Sequence, residues 1–337
     1  MPRKARRGLV RQTVPVDSSV RGCDVAFLIY IVIYSAVLIF IIGCIRRIVQ
    51  YARTPLHLRW ELYPVPHERP DRVAHGGSYF EDSEGWKERP PSRFKLRGEL
   101  RFMVPEILFL KGLWEFNRPL WWVSFPFHFG LYLIIAATLL LIVSAAVAIA
   151  VPGFAAGNVM LVARSLYRVA GGLGCLLVLV GGTGLLRRRV HDEKLRSYTS
   201  FADVFNLLFF IATFIWLGIG YVLRPAGAPS AGAIARGLLT FDTSLTLPDA
   251  LSTGFILGAI LMAYIPFTHM AHFIAKYFTY HAVRWDDARY GRGSSMEARV
   301  AEQLTYRPAW SAPHMDSNGE KTWAEIASGN PAQKVLP

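Results

Sequence analysis

Five stretches of the chain are continuously apolar over lengths that match a membrane span. None contains a charged side chain, and each is bounded by charged residues or by residues that favour turns. A helix needs about 20 such residues to cross the ~30 Å hydrocarbon core of a bilayer. The pattern therefore predicts five transmembrane helices, at Val25–Ile45, Leu120–Val151, Val169–Leu186, Val204–Leu223 and Ala250–Ala275.

The segments around these spans are polar and divide the chain into three parts. We expect a basic N-terminal tail (1–22), a five-span membrane domain (23–283) and a soluble C-terminal tail (284–337). In the long loop 46–119, apolar residues recur at helical spacing over 94–114, which predicts an amphipathic helix lying on the membrane. The predicted fold class is an all-α integral membrane protein built as a five-helix bundle.

Composition agrees with this class. Hydrophobic residues make up 53% of the 337 residues and charged residues 18%, below the roughly 25% usual in soluble domains. The net charge of +13 does not indicate nucleic-acid binding, because the basic residues gather beside the apolar spans. There, anionic lipid and the excess of Lys and Arg in cytoplasmic loops account for them.

Charges in the loops predict the topology. The segments after the first, third and fifth spans are rich in Lys and Arg, with Arg187–Arg189 the densest run. This places them and the C-terminus in the cytoplasm and the N-terminus outside, although MPRKARRGLVRQ is itself basic. The first span is long and lacks a small-residue cleavage motif, so we expect a retained helix rather than a signal peptide.

The cysteines favour no metal centre of their own. Cys23, Cys44 and Cys175 are isolated in the sequence and form no CxxC pair. An iron–sulfur cluster, a zinc site or covalently attached haem is therefore not indicated.

Two histidines within the apolar spans carry most of the functional information. His128 lies in the second span, about 12 Å from its start, and His272 in the fifth, about 18 Å from its end. An imidazole buried in a bilayer without a partner is costly, and a pair on different helices at similar depth can ligate a haem iron. For His128 alone, a helix–helix hydrogen bond is an equally good explanation.

The other histidines are weaker candidates. His269 lies one helical turn deeper than His272 and is the alternative ligand, whereas His281 falls near the interface, where headgroups can contact it. Solvated side chains are the default in polar segments. That default applies to His57, His67, His75, His191 and His314.

A glycine-rich run in the third span, GGLGCLLVLVGGTG, superficially suggests a phosphate-binding loop. It has no flanking strand and lies between Arg168 and Arg187 at membrane length. Small residues that allow close packing of helices explain it better.

The histidine motifs carry a family resemblance. The motifs FHFGLYL (127–133) and PFTHMAH (266–272) resemble motifs of the second and fifth helices of the gamma subunit of respiratory nitrate reductase, a five-helix cytochrome b. The longer stretches WEFNRPLWWVSFPFHFGLYL and YIPFTHMAHFIAKYFTYHAVRWDD are still more similar to cytochrome b subunits of the transmembrane redox complexes of sulfate reducers, as is the tail WSAPHM…KTWAEIASGNP. The resemblance implies axial ligation by His128 and by His272, the last histidine of PFTHMAH.

The family pattern has two haems, and this chain departs from it. By the resemblance, the ligands of the second haem would fall at Thr138 and Gly254, neither of which is a histidine. Both ligands of one haem are missing together while both of the other remain. We therefore expect a single b-type haem.

The resemblance implies an electron-transfer subunit of a quinone-linked oxidoreductase complex in the bacterial cytoplasmic membrane. It would pass electrons between menaquinone and a cytoplasm-facing iron–sulfur subunit, with a periplasmic cytochrome c as a further candidate partner and no catalytic residue of its own. Two alternatives remain open: a haem-free membrane anchor, and a transporter using the histidines as a proton relay. The absence of charged side chains from the spans weakens the transporter alternative.

Overall fold

The computed structural model describes residues 18–53, 96–283, 292–309, 317 and 319–329. Within these ranges every regular element is helical, and five helices are long and apolar enough to cross a membrane. This confirms the predicted all-α membrane fold. The five span segments are Ala26–Ala52, Arg118–Ala150, Asn158–His191, Phe201–Val222 and Asp249–Phe267.

The helices are numbered here in chain order. The first three are α1 (Ser18–Ala52), α2 (Leu96–Leu108) and α3 (Lys111–Phe116). The central helices are α4 (Arg118–Ala150), α5 (Asn158–His191), α6 (Glu193–Arg196), α7 (Phe201–Val222), α8 (Ala231–Thr240) and α9 (Asp249–Tyr264). The last three are α10 (His272–Val283), α11 (Ser295–Leu304) and α12 (Trp323–Ser328).

Short polar side chains begin several of these helices. The Asn117 side chain accepts a hydrogen bond from the Leu120 amide at 3.2 Å at the start of α4. At the start of α7, Ser200 and Asp203 form a reciprocal capping box. Such caps satisfy amide groups that the first helical turn leaves without a partner.

The predicted amphipathic helix over 94–114 is two helices in the structure. Residues 94 and 95 lie outside the described residues, and α2 and α3 are separated at Leu110, whose φ of 52° is left-handed. A left-handed residue ends a helix, because the next amide no longer points along the helical ladder. The apolar spacing over 94–114 predicted helical structure correctly, but it did not predict the turn at Leu110.

The fifth predicted span, Ala250–Ala275, is likewise not one continuous helix. Helix α9 ends at Tyr264, two short 3₁₀ turns follow (Ile265–Phe267 and His269–Ala271), and α10 begins at His272. Pro266 lies at the interruption. Proline has no amide to donate and its ring clashes with the preceding turn, so it breaks a helical ladder.

The chain divides into two units, which are described separately. The first unit comprises residues 1–40 and 112–264, and the second comprises 41–111 and 265–337. In the first unit α4 packs along α5, α7 packs against both α5 and α9, and α8 packs on α4. Helix α8 lies in a connection for which no helix was predicted.

Glycines bring α4 and α5 of the first unit into close contact. A Cβ at Gly174 would lie 2.8 Å from the carbonyl oxygen of Gly130, and one at Gly130 would lie 2.7 Å from that of Gly174. The run GGLGCLLVLVGGTG lies wholly within α5. This confirms that the run serves helix packing.

In the second unit, the end of α1 lies against the segment that precedes α10. A Cβ at Gly43 would lie 2.7 Å from Cβ of Pro266. Further along the same two elements, the rings of Tyr51 and Phe278 have centroids 5.7 Å apart. In the described part of the tail, the Trp323 amide donates to the Tyr306 carbonyl at 3.0 Å, which joins the start of α12 to the chain after α11.

Candidate haem-binding site

His128 lies on α4 of the first unit, half-buried, with its ring fixed by the preceding helical turn. Its Nδ1 lies 2.8 Å from the backbone carbonyl oxygen of Ser124 and 3.3 Å from the Ser124 hydroxyl. A carbonyl only accepts hydrogen bonds, so Nδ1 carries the proton. In the neutral ring the lone pair then lies on Nε2, the nitrogen that a metal ligand uses in this arrangement.

Close helix packing holds the turn that carries His128. The neighbouring Phe127 is buried and lies against Gly181 of α5, where a Cβ would lie 2.7 Å from the Phe127 Cα. The Phe127 ring meets Phe210 of α7 edge to face, with centroids 5.2 Å apart. Both neighbouring helices therefore fix the backbone beside the histidine.

The second candidate lies just after the interruption in the fifth span. Thr268 is extended, with φ −116° and ψ 175°, and its hydroxyl accepts a hydrogen bond from the Met270 amide at 3.2 Å. The same hydroxyl donates to the Ile265 carbonyl at 3.0 Å. Thr268 thus ends one short turn and begins the next, and this places His272 as the first residue of α10.

His272 repeats the hydrogen-bonding arrangement of His128. Its Nδ1 lies 3.3 Å from the carbonyl oxygen of His269, which also accepts the His272 amide. In the neutral ring, a proton on Nδ1 again leaves the lone pair on Nε2. The ring is exposed on the second unit.

The segment that carries His269 and His272 is not the continuous helix that was expected. The two residues are still one turn apart, but it is a 3₁₀ turn, closed by the hydrogen bond from the His272 amide to the His269 carbonyl, and α10 begins only at His272. The cause is the helix break at Pro266. The backbone of His269 supplies the acceptor for His272, a role that spacing on an ideal helix does not reveal.

The same hydrogen bond also occurs at a histidine outside the candidate site. His191 makes the same kind of contact, with Nδ1 3.0 Å from the Arg187 carbonyl oxygen, although it is exposed at the end of α5. The bond therefore fixes a tautomer but does not identify a ligand. The described residues do not include His57, His67, His75 or His314, and they do not include the side chain of His281.

The two positions where the family pattern has further ligands have different surroundings. Thr138 is exposed on α4. Gly254 is buried in the contact between α9 and α7, where a Cβ would lie 3.0 Å from the Leu217 amide nitrogen and 3.1 Å from its Cα. Because those atoms are backbone, a larger side chain at Gly254 requires α7 and α9 to separate.

The donor chemistry of the two candidate ligands fits a haem. Each histidine has Nδ1 hydrogen-bonded to a backbone carbonyl, the outer contact that orients imidazole ligands. Axial ligation requires only two side chains. Among the described residues, no group of three or more His, Cys, Asp or Glu is arranged to hold a metal ion. The sequence did not indicate that Ser124 and His269 orient the candidate ligands. For Ser124 a signal exists, because it lies four residues before His128 and therefore on the same face of the helix.

Comparison with protein families identifies this part of the chain. The family described as nitrate reductase gamma subunit matches residues 113–289, just over half of the chain. The match contains His128, His269 and His272 and all spans after the first. Comparison with curated proteins gives no match, and the closer resemblance to the sulfate-reducer subunits stays a prediction. The chain therefore belongs to the nitrate reductase gamma subunit family, the cytochrome b-type membrane subunits of redox complexes.

Proposed function

We propose that this protein is a one-haem cytochrome b subunit that passes electrons between the menaquinone pool and an iron–sulfur subunit on the cytoplasmic side. His128 and His272 are the axial ligands. The observation that carries the proposal is that both histidines lie within the segment that matches the family. Each also donates from Nδ1 to a backbone carbonyl, which leaves Nε2 available as a ligand.

The haem supplies one-electron chemistry when bound, and the protein supplies its ligands and surroundings. His128 and His272 each offer Nε2, held in direction by the carbonyls of Ser124 and His269. Both the polarity of the surroundings and the hydrogen bonds to the axial ligands help to set the reduction potential of a haem.

The close packing at Gly254 supports a single haem. A Cβ at position 254 would lie 3.0 Å from the Leu217 amide nitrogen of α7, so an imidazole there requires α7 and α9 to move apart. Thr138, the other position of that ligand pair, offers a hydroxyl rather than an imidazole. Neither position supplies an axial ligand of the family type.

Haem content and spectra of four single variants test the proposal. We expect one non-covalent b-type haem per chain in a pyridine haemochrome assay. H128A and H272A should each lose nearly all low-spin absorbance, because a six-coordinate iron needs both ligands. H269A keeps the carbonyl that orients His272 and should retain most of it. H191A is the matched control, since His191 makes the same Nδ1 contact outside the proposed site.

Each contrary result has a defined meaning. Two haems per chain would refute the single-haem proposal, and loss of haem in H269A but not in H272A would transfer the ligand role to His269. A purified chain without any haem, after expression with sufficient haem supply, would establish the haem-free anchor instead.

A further inference from the structure

At the break before α10, the Pro266 carbonyl loses its helical donor. In a continuous helix the Pro266 carbonyl would accept the amide of Met270, four residues later. Here the Met270 amide donates instead to the Thr268 hydroxyl. Pro266 is almost completely buried, and a buried carbonyl without a partner is destabilising.

Arg47 of α1 supplies the missing donor. Its Nε lies 2.8 Å from the Pro266 carbonyl oxygen, a short and charge-assisted hydrogen bond. A second guanidinium nitrogen lies 3.4 Å from the side-chain oxygen of Gln50, one turn further along α1. The guanidinium is therefore held from its own helix while it caps the interrupted segment.

The surrounding contacts make this position specific to Arg47. Gly43, one turn earlier on α1, lies directly against the Pro266 ring, so the two backbones approach closely enough for the guanidinium to reach the carbonyl. On α10 itself, Lys276 pairs with Glu106 of α2 at 2.8 Å. These contacts fix α10 beyond the break, whereas Arg47 acts at the break itself, six residues before His272.

We infer that Arg47 is a positioning residue for His272: it satisfies the Pro266 carbonyl and thereby sets the backbone path that presents this imidazole to the haem. The inference rests on the proposed function, because it assumes that His272 is an axial ligand. Arg47 touches neither the iron nor His272 in this account. Its effect passes through the short turns between Pro266 and the first residue of α10.

The test compares three substitutions in the full chain, purified with its native partners. R47M keeps the length of the side chain but removes every donor. R47K restores a cationic donor. R46M is the matched control, because Arg46 is the adjacent and exposed arginine of the same helix. The readouts are haem retention on dilution in detergent, the low-spin g values in electron paramagnetic resonance, and amide hydrogen exchange of the segment 265–272.

We expect R47M to retain haem about tenfold less tightly, a change of about 1.4 kcal/mol, with shifted g values and faster exchange at the break. R47K should recover most of each signal, and R46M should match the wild type. If R47M is indistinguishable from R46M while H272A loses its haem, the positioning role is wrong and the proposed function stands. If H272A retains its haem, the ligand assignment itself is wrong. Should R47M not fold, R47Q is measured instead, because its shorter neutral side chain loses the charge-assisted bond. Weaker haem retention with shifted g values supports the positioning role, and values equal to those of R46M overturn it.

Discussion

At the residue scale, two different backbone structures hold the candidate ligands in the same tautomer. His128 donates to a carbonyl one full α-helical turn earlier, and His272 donates to a carbonyl three residues earlier across the end of a 3₁₀ turn. In both cases the acceptor is main chain rather than a side chain. The tautomer is therefore determined by local conformation and is insensitive to the identity of the residue that carries the carbonyl.

This independence gives a prediction for Ser124. The Ser124 hydroxyl lies 3.3 Å from Nδ1 of His128, and its backbone carbonyl lies at 2.8 Å. We expect S124A to keep the haem and its low-spin spectrum, because the shorter bond remains. The measurement is a reduced-minus-oxidised spectrum beside H128A. Loss of the haem in S124A would mean that the hydroxyl, not the carbonyl, orients the ring.

At the scale of helices, the contact between α4 and α5 depends on the absence of side chains at particular positions of α5. A Cβ at Gly181 would collide with the backbone of Phe127, next to His128. A Cβ at Gly172 of the same helix would have no atom within 4 Å. Substituting alanine at each of the two glycines therefore separates the effect of helix packing from the effect of helix propensity.

We predict that G181A destabilises the protein and that G172A does not. Overpacking in a close contact destabilises by typically 1–3 kcal/mol, whereas alanine at an open helical position is favoured over glycine by about 1 kcal/mol in water. Thermal unfolding of the haem-loaded protein, followed at the Soret band, should show a lower midpoint for G181A alone. Equal unfolding midpoints for G181A and G172A would show that the contact at Phe127 adjusts to the added methyl group without loss of stability.

The helices also show which features the sequence could predict. The second predicted span, Leu120–Val151, agrees closely with α4, because Asn117 and Pro119 mark its start in the sequence. Helix α5 begins at Asn158, eleven residues before the predicted start at Val169. This N-terminal extension contains Arg164 and Arg168. Hydropathy detects the hydrocarbon core, and a helix can extend into the headgroup region beyond it. Helix α8 was not predicted because it is short and rich in small residues, although Ser230 caps it.

The candidate site was predictable only in part, for a related reason. His128 and His272 could be selected from their apolar surroundings, since polar side chains within a span are conspicuous. Their hydrogen-bond acceptors are backbone atoms, which no residue pattern identifies directly. Pro266 was visible in the sequence, but the apolar residues on both sides of it concealed that the helix ends there.

At the scale of the whole molecule, we propose that the iron–sulfur subunit binds the Lys- and Arg-rich segments that the sequence predicts to be cytoplasmic, the C-terminal tail among them. Within the described part of the tail, α11 and α12 are short and the Thr322–Glu325 capping box begins α12. Family membership implies association with catalytic and iron–sulfur subunits. Complementary charge on such a surface mainly accelerates encounter.

We predict that removing the tail after Arg292 releases the soluble partner without changing the haem spectrum. The truncation leaves both proposed ligands and all five spans in place. Co-purification from membranes at two salt concentrations provides the measurement, with the full-length chain as the control. A truncated chain that keeps its partner in full, or a tail labelled from outside intact cells, would contradict the proposed docking face and orientation.

The interruption at Pro266 also affects how the two candidate ligands respond to insertions and deletions. One residue added to a continuous helix turns everything beyond it by about 100°, so an insertion between Phe127 and Gly130 would break either the contact of Phe127 with Gly181 or that of Gly130 with Gly174. An insertion before Pro266 leaves the contacts of that residue with Gly43 and Arg47 in place, and α10 keeps its own register. We therefore expect the fifth span to accept a change of length before Pro266 with its histidine in place, whereas the second span accepts none beside His128.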